Sequence, residues 1–261
     1  GCPRRAPQAE LKRCMDELDQ VLAWIRQAKP KRIAILTGAG VSAESGIPTF
    51  RGPGGLWESH RPEELATPEA FERDPELVWR WYEWRRELLA RAEPNAAHRA
   101  IAELEQRLPE GSVITITQNV DGLHRRAGSR NIIELHGSIV RVRCVREGNA
   151  FERAEPLGSV PPRCSCGALL RPDVVWFGEA LPEGAIERSS EAVSAADLVL
   201  VAGTSGVVYP AAGLVHLVRH GIAVEINPDE TPLSETCRFT IRSTAAAAVP
   251  KIAAAVGQVE P

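Results

Sequence analysis

The segment Lys31–Arg51, KRIAILTGAGVSAESGIPTFR, constrains the fold of this 261-residue chain more than any other feature. An apolar run, Ile33–Leu36, leads into Gly38-Ala39-Gly40-Val41-Ser42-Ala43, which fits the G-x-G-x-x-G/A spacing of a dinucleotide-binding turn. In such a turn the first glycine permits the bend, the second lets the backbone approach a pyrophosphate, and Ala43 allows close packing of helix and strand. The N–H groups of the following helix would point at the phosphates. The segment therefore predicts a strand–turn–helix unit that binds a nucleotide.

The same segment departs from the pattern of dehydrogenases. No acidic residue ends a second strand about 20 residues further on, since the nearest carboxylate, Glu58, lies in a loop rich in glycine and proline. Glycine-rich turns also occur without a ligand, so the spacing alone leaves a purely structural turn open. The tail Glu44–Arg51 has a more specific sequence than a purely structural turn would need, so we expect a nucleotide site without hydride chemistry.

Short apolar runs alternate with amphipathic segments along the rest of the chain, which favours an α/β fold with a doubly wound parallel Rossmann-like sheet. We expect strands at Ile33–Leu36, Val113–Thr117, Ile132–Leu135, Leu198–Ala202 and Ala223–Ile226. We expect helices at residues 9–28, 62–92 (interrupted at Pro68 and Pro75), 96–108, 185–195, 209–219 and 245–256. Residues 138–171 lose periodicity and gain proline, glycine and three cysteines. They predict a loop-rich insertion that, with residues 62–92, forms a smaller, zinc-ribbon-like module.

These patterns divide the chain into two predicted domains. Residues 1–51, 95–136 and 180–261 would form the Rossmann-like domain, and residues 52–94 and 137–179 the small one. A net charge of −3 without a basic block argues against nucleic acid as a partner. No apolar run approaches the length of about 18 residues that a membrane span needs. Isolated cysteines do not suggest a disulfide framework, so we expect a cytoplasmic protein, by default a monomer.

Polar residues follow each predicted strand. In parallel sheets ligands bind at the carboxyl ends of the strands, so these residues should converge on one site. They are Thr37-Gly38, Gln118–Asp121, His136, Gly203-Thr204-Ser205 and Asn227. Five strand ends with polar residues are much stronger evidence for a site than any single motif.

Together the motifs resemble the sirtuin family of NAD-dependent protein lysine deacylases. The matching pieces run in the family order, and they are GAGVSAESGIPTFR (38–51), TQNVDGLH (117–124), ELHGS (134–138), VVWFGE (174–179), GTS (203–205) and the strand end at Asn227. The resemblance implies NAD as co-substrate, acyl-lysine proteins or peptides as partners, and a transferase-type reaction. The cofactor-binding residues that it implies are Gly38, Ala39, Gly40, Ser42, Ala43, Glu44, Ile47, Pro48, Thr49, Phe50, Arg51, Gln118, Asn119, Val120, Asp121, Gly203, Thr204, Ser205, Asn227, Pro228, Asp229 and Ala245.

The resemblance also implies the chemistry. The acyl-lysine carbonyl oxygen would attack C1′ of the nicotinamide ribose, and His136 would act as general base, with Asn119 and Asp121 as further catalytic residues. An imidazole suits a base because its ordinary pKa of about 6.5 lies close to working pH. A histidine that only satisfies backbone at a strand end is the alternative for His136, and His124 is a candidate for a supporting role.

Within the family, the chain looks most like the class III branch that removes succinyl and malonyl groups, with glutaryl as a further candidate. Thr49 stands where most members carry Asp, and Tyr82-x-x-Arg85 matches the pair that holds the acyl carboxylate. On a helix, Leu77, Trp81, Trp84 and Leu88 would form a core stripe, with Tyr82 and Arg85 on a neighbouring one. A guanidinium there suits an anionic partner. The alternative is that Arg85 pairs with a local Glu (Glu64, Glu69 or Glu103) and that Tyr82 only packs.

The substrate peptide would pair with the strand-like edge Val174–Glu179, which adds Val175, Trp176, Phe177, Gly178 and Glu179 to the substrate-binding residues. A buried strand is the alternative for these residues. The family usually holds zinc with two Cys-x-x-Cys pairs, whereas this chain has Cys144 with Glu147 three positions later and Cys164-Ser165-Cys166. Three thiolates and a carboxylate could still bind zinc. Without zinc, Cys144, Cys164 and Cys166 are candidates for a reversible disulfide.

Three other functions compete with an acid-selective deacylase. A deacetylase with little acid preference would share the site, and a mono-ADP-ribosyltransferase would use the same NAD pocket. A non-catalytic module that binds NAD or ADP-ribose would need a degraded base or a missing Asn/Asp pair, and neither is seen in the sequence.

Overall fold

The computed structural model describes residues 16–49, 61–152 and 159–256. Within these ranges the chain forms two sheets. A six-stranded sheet has the order β3-β2-β1-β7-β8-β9, with every neighbouring pair parallel, and a three-stranded antiparallel sheet has the order β5-β4-β6. The strands are β1 (Ile33–Thr37), β2 (Val113–Thr117), β3 (Ile132–Glu134), β4 (Gly137–Cys144), β5 (Ala150–Glu152), β6 (Leu170–Val174), β7 (Leu198–Ala202), β8 (Ile222–Ile226) and β9 (Phe239–Ile241).

Helices cover both faces of the parallel sheet, because its central strands are apolar on both sides. Ile33 and Ile35 face a core that includes Val21, Ile101 and Ile252, whereas the alternate residues Ala34 and Leu36 face a core that includes Val193 and Leu214. The α-helices are α1 (Glu17–Ala28), α2 (Pro62–Leu65), α3 (Pro68–Arg73), α4 (Pro75–Arg91), α5 (Ala96–Arg107), α6 (Leu123–Ala127), α7 (Ala185–Ala195) and α8 (Ala245–Val256). The doubly wound Rossmann-like fold is therefore confirmed. No helix in the described ranges is long and apolar enough to cross a membrane.

The helices α2–α4 pack on the antiparallel sheet and form a separate small module with its own core. The insertion predicted at 138–171 is loop-rich, but it also contains β4, β5 and the start of β6, which the sequence analysis did not predict. The segment Gly137–Cys144 turns Ile139 and Val142 inward and leaves Arg141 and Val140 partly exposed. A register shift within the β4–β6 pair breaks the regular alternation, which explains why the pattern was missed. The domain boundaries themselves stay predictions.

Several smaller expectations also needed correction. The helix predicted at 209–219 is a short 3₁₀ helix, Ala211–Leu217, and the turn after Gly38 continues as a 3₁₀ helix, Ala39–Ser45, rather than an α-helix. The strand β9 and the helix α6 were not predicted, because three and five residues are too short to show a period. The breaks at Pro68 and Pro75 are confirmed, since Thr67 and Asp74 cap the helices that begin there.

Candidate functional site

A cleft of about 660 Å³ lies at the carboxyl ends of the parallel strands, between the large sheet and the small module. The strand order reverses between β1 and β7, where the crevice of a doubly wound sheet is expected. Nearly all the predicted site residues line this cleft. The exceptions are Ser42, Ile47, Pro48 and Asp121, which line a second pocket, the three cysteines, and Phe50 and Arg51, which lie outside the described residues.

The second pocket is small, about 30 Å³, and adjoins the cleft. The two share Ala39, Arg85, Asn119 and Val120 in their walls. Ile47 and Val120 supply apolar walls, while Asn119 and Asp121 supply polar atoms. The pocket thus offers a flat heteroaromatic amide both apolar contact and hydrogen-bonding partners.

The turns after β1 and β7 cross at van der Waals distance. The Gly40 N–H donates to the Gly203 carbonyl at 2.8 Å, and a Cβ on Gly40 would lie 2.8 Å from the Cα of Gly203. Gly203 has a φ of +61°, and its Cβ would lie 2.3 Å from the Val41 nitrogen. Glycine at these positions is therefore needed for the approach of two loops as well as for the approach of a ligand.

A buried polar cluster joins the turns after β1 and β2. The Ser42 hydroxyl donates to Asp121 Oδ2 at 2.7 Å, and the Asn119 amide donates to the Gly38 carbonyl at 3.1 Å and to Ser42 Oγ at 3.2 Å. Burial raises the pKa of Asp121, while hydrogen bonds from the Leu123 N–H and Ser42 oppose that shift. These bonds fix Asn119 and Asp121 in the wall of the small pocket.

Two buried histidines stand behind this cluster. The His98 Nε2 lies 3.4 Å from Ser42 Oγ, and the His124 Nε2 lies 3.1 Å from the Thr37 hydroxyl, which donates to Thr117. Burial lowers the pKa of His98 to about 4 and that of His124 to about 3, so both imidazoles are neutral. The supporting role suggested for His124 stays a prediction, and the contact of His98 with this cluster was not predicted from the sequence.

His136 lies in the cleft immediately after β3. Its Nδ1 is 3.0 Å from the Gln118 carbonyl, which accepts the Nδ1 proton and leaves Nε2 as the free, basic nitrogen. Burial lowers the pKa of His136, and the hydrogen bond to Gln118 offsets part of that shift. At neutral pH the side chain is therefore an uncharged imidazole, which is the form that a general base requires.

Contacts with both sheets fix the turn that contains His136. Gly137 has a φ of +75°, and a Cβ there would lie 2.2 Å from the Asp173 carbonyl oxygen. Arg141 donates to Glu134 and to Asp173, each at 2.8 Å, so one guanidinium bridges the end of β3 and strand β6. Asp173, to which the sequence assigned no function, thus helps to anchor this turn.

Tyr82 and Arg85 lie on the buried face of α4 and line the same cleft as His136. The Arg85 side chain is only 9 % exposed, and its guanidinium carbon lies 4.8 Å from the centre of the Trp81 ring and 5.6 Å from that of Tyr82. Burial lowers the pKa of Arg85, and electrostatic interactions with Tyr82 and Asp121 oppose the shift. The Arg85 guanidinium is therefore a cation that has lost most of its contact with water and lies in the wall of the cleft.

The predicted core stripe on this helix was partly wrong. Leu77 and Trp84 are each 45 % exposed, and the buried face instead carries Val78, Trp81, Arg85 and Leu89 with their neighbours. The buried face of this helix is rotated by one residue from the predicted core stripe. The rotation places Trp81 in the wall of the cleft, which the sequence did not predict. The spacing of three, four and four between these residues was the signal that could have identified the face.

Hydrogen bonds also connect the turns after β2, β7 and β8, which line the other part of the cleft. Gln118 donates to the Thr204 hydroxyl at 3.0 Å, and Asn227 donates to the Thr204 carbonyl at 2.9 Å. The Glu44 carboxylate accepts the Ala246 N–H at the start of α8. Sequence reasoning missed further lining residues for which no motif exists, and these are Tyr209, Glu230, Thr231 and Thr244.

Residues 174–179 depart from the predicted strand-like edge, because β6 ends at Val174 and Trp176–Glu179 form a turn. Glu179 forms a two-bond ion pair with Arg171, at 2.6 and 2.8 Å, and also accepts the Trp176 backbone N–H at 2.8 Å. Burial would raise the pKa of Glu179, but these bonds outweigh it and hold the pKa below its ordinary value. The turn is therefore rigidly tied to β6.

The three cysteines of the small module meet in space. The donor atoms of Cys144, Glu147, Cys164 and Cys166 all lie within 4.8 Å of one another, and the Cys144 and Cys166 sulfurs are 3.6 Å apart. Three thiols and one carboxylate at this separation fit a tetrahedral zinc site. All three cysteines are free thiols in the structure.

Comparison with known proteins agrees with this geometry. A family model described as the Sir2 family matches residues 38–210, which is more than half of the chain. An NAD-dependent protein deacylase of Aquifex aeolicus is 52 % identical over 224 residues, covering 84 % of this chain and 93 % of its own. NAD-dependent protein deacylase 1 of Archaeoglobus fulgidus is 56 % identical over 223 residues, covering 84 % and 90 %. A Sir2 homologue solved with NAD is 51 % identical, with a TM-score of 0.82 over 91 % of this chain and 93 % of that one. The chain belongs to the Sir2, or sirtuin, family.

Proposed function

We propose that this NAD-dependent protein deacylase of the Sir2 family removes acidic acyl groups, succinyl and malonyl above all and glutaryl as a further candidate, from protein lysines. The products are free lysine, nicotinamide and 2′-O-acyl-ADP-ribose. The observation that carries the acyl preference is the buried pair Tyr82 and Arg85, which share one cleft with His136. A desolvated guanidinium is stabilised by an anion, and its planar fork matches a carboxylate.

We assign NAD to the cleft because the residues at each of its two ends suit a different part of the NAD molecule. The crossing turns at Gly38–Gly40 and Gly203–Ser205 form the part of the cleft wall to which we assign the pyrophosphate, and Asn227 lies in the part to which we assign the adenosine ribose. The small pocket lined by Asn119, Val120 and Asp121 suits nicotinamide. A Sir2 homologue that is 51 % identical was solved in complex with NAD, which supports NAD as the molecule bound by this chain.

The membership in the Sir2 family implies the reaction, and the placement of the residues is compatible with it. The acyl carbonyl oxygen attacks C1′ of the nicotinamide ribose, and the C1′–N bond breaks with its electron pair leaving on nicotinamide. His136 then removes the proton of the ribose hydroxyl through Nε2, so that the 2′-oxygen attacks the imidate carbon. Water completes the sequence and releases lysine. The Gln118 carbonyl holds the tautomer of His136 that this step requires.

The competing functions differ in how they use the same residues. A deacetylase without acid preference needs no cation facing the acyl group, and a mono-ADP-ribosyltransferase has no use for an acyl clamp formed by Tyr82 and Arg85. A binding module without catalysis has no use for a neutral imidazole whose Nε2 is free in the cleft. Cytoplasmic location and a monomeric state stay predictions from the sequence.

Replacing Arg85 with Met tests the acyl preference. We expect the wild type to favour a succinyl-lysine peptide over the acetyl form, and Arg85→Met to lower the succinyl-to-acetyl ratio of kcat/KM by roughly 10- to 150-fold. That range corresponds to about 1.5–3 kcal/mol for a charged hydrogen bond in a buried site. Arg80→Met is the matched control, because Arg80 lies on the same helix with a side chain that is 71 % exposed.

The ratio is measured by chromatographic detection of the deacylated peptide with NAD present. An unchanged ratio in Arg85→Met, or a wild type that favours the acetyl peptide, would refute the acid preference and leave the deacetylase reading. Product formation without loss of NAD would contradict the enzyme class.

We also propose that Cys144, Cys164, Cys166 and Glu147 hold a structural zinc ion. Purified protein should then contain about one zinc per chain, and a strong chelator should lower its Tm. Cys144→Ser should lose zinc by elemental analysis, whereas Cys237→Ser, outside the cluster, should keep it. Zinc-free protein with a Tm that does not respond to the chelator would instead favour the disulfide alternative between the thiols.

A further inference from the structure

Trp176, in the turn Trp176–Glu179, contacts the proposed acyl clamp of Tyr82 and Arg85 directly through a hydrogen bond. Its indole Nε1–H donates to the Tyr82 hydroxyl oxygen at 2.9 Å, and both side chains are buried, at 3 % and 3 % exposure. Because this bond occupies a lone pair of the phenol oxygen, the hydroxyl proton must point away from Trp176. Tyr82 is thereby set as a donor to whatever lies beside it in the cleft.

The indole that sets this donor is itself held on two sides. The Phe71 ring centre lies 5.3 Å from that of Trp176, and the Arg171 guanidinium carbon lies 3.4 Å from the indole centre. Arg171 is paired with Glu179, whose carboxylate also accepts the Trp176 backbone N–H. The Trp176 backbone N–H binds the Glu179 carboxylate, the carboxylate binds the Arg171 guanidinium, and the guanidinium stacks on the Trp176 ring. This closed set of contacts restricts the movement of the indole.

We propose that Trp176 is a positioning residue for acyl selectivity, which directs the Tyr82 hydroxyl proton toward the carboxylate of an acidic acyl group. The inference rests on the proposed acid-selective function. A carboxylate accepts hydrogen bonds and donates none, whereas the methyl of an acetyl group does neither, so a fixed donor distinguishes the two. Accepting the indole N–H also strengthens the phenol as a donor.

The test is Trp176→Phe, which keeps an aromatic ring and removes the N–H. We expect the succinyl-to-acetyl ratio of kcat/KM to fall roughly tenfold, mainly through a higher KM for the succinyl peptide. Trp79→Phe is the matched control. Trp79 lies on the same helix as Tyr82, is fully buried in the same core, and loses a comparable indole bond, 2.8 Å to the Leu170 carbonyl. Its ratio should stay at the wild-type value even if its Tm falls.

A double variant distinguishes an effect of Trp176 on the Tyr82 hydroxyl from an effect of Trp176 on packing. If Trp176 acts through Tyr82, then Tyr82→Phe and the double variant Tyr82→Phe/Trp176→Phe should have the same ratio. Additive effects, an unchanged ratio in Trp176→Phe, or an equal loss in Trp79→Phe would each overturn the inference while the acid preference stands. A wild type without acid preference would overturn the proposed function, and this inference with it.

Discussion

Replacing His136 with Ala is expected to lower kcat/KM for deacylation by about 10²- to 10⁴-fold, the range that a general base contributes. The nicotinamide step should survive, because the base acts only after the C1′–N bond has broken. Exchange of labelled nicotinamide into NAD, measured with an acylated peptide present, should therefore continue while deacylated peptide stops accumulating. Loss of both activities to the same degree would move His136 to an earlier step.

The pH profile gives an independent check of the same residue. Burial lowers the pKa of His136 below its ordinary value of about 6.5, so the neutral form prevails at pH 7 and the rate should fall only as the pH drops through that lowered pKa. This acidic limb should be absent from the residual activity of His136→Ala. His220→Ala, at an exposed position, should keep both the rate and the limb.

The main sheet and its binding edge were predictable because their determinants are local. An apolar run shows a buried parallel strand, and the residue that follows the run lies at the ligand-binding edge whatever the strand order is. Gly203, His136 and Asn227 could thus be assigned to one site from three separate segments. The spatial order of the strands could not be obtained this way, because it depends on which strands pair.

The contacts that shape the acyl end were not predictable. Tyr82 and Trp176 are 94 residues apart in sequence and meet only because α4 packs on the antiparallel sheet. The strand β4 that forms this sheet was itself missed. The sequence could therefore supply the types of residue in the clamp and its helical spacing, but not the bond that orients it.

The buried histidines His98 and His124 show a second kind of contact that could not be predicted from the sequence. His98 caps the start of its own helix by accepting the Asn95 N–H, which is a local role that sequence could suggest. Its approach to Ser42 and its 4.8 Å ring contact with His124 depend on three separate elements coming together. Burial then decides that both are neutral, and burial is a property of the assembled fold.

The largest expected loss of stability comes from Arg242→Met. Glu225, in the strand β8 next to the edge strand β9, is 1 % exposed and accepts hydrogen bonds from Thr231, from Ser234 at 2.6 Å and from Arg242 at 2.9 Å. Removing the cation leaves a buried carboxylate without its partner, which costs about 3–5 kcal/mol when both groups are fully buried. Because the Arg242 side chain is 36 % exposed, we expect about 2–3 kcal/mol. That corresponds to a Tm lower by roughly 5–10 °C.

The same change should weaken NAD binding, because Arg242 also donates to the Asp229 carbonyl at 2.9 Å in a loop that lines the cleft. Tm by calorimetry and KM for NAD measure the two effects, and both should exceed those of Arg238→Met, an exposed arginine on the same segment. Adding Glu225→Gln to Arg242→Met should recover part of the stability, since an amide needs no cation. If the double variant is less stable than Arg242→Met, the unpaired charge is not the cause, and the loss lies in the loop contacts alone.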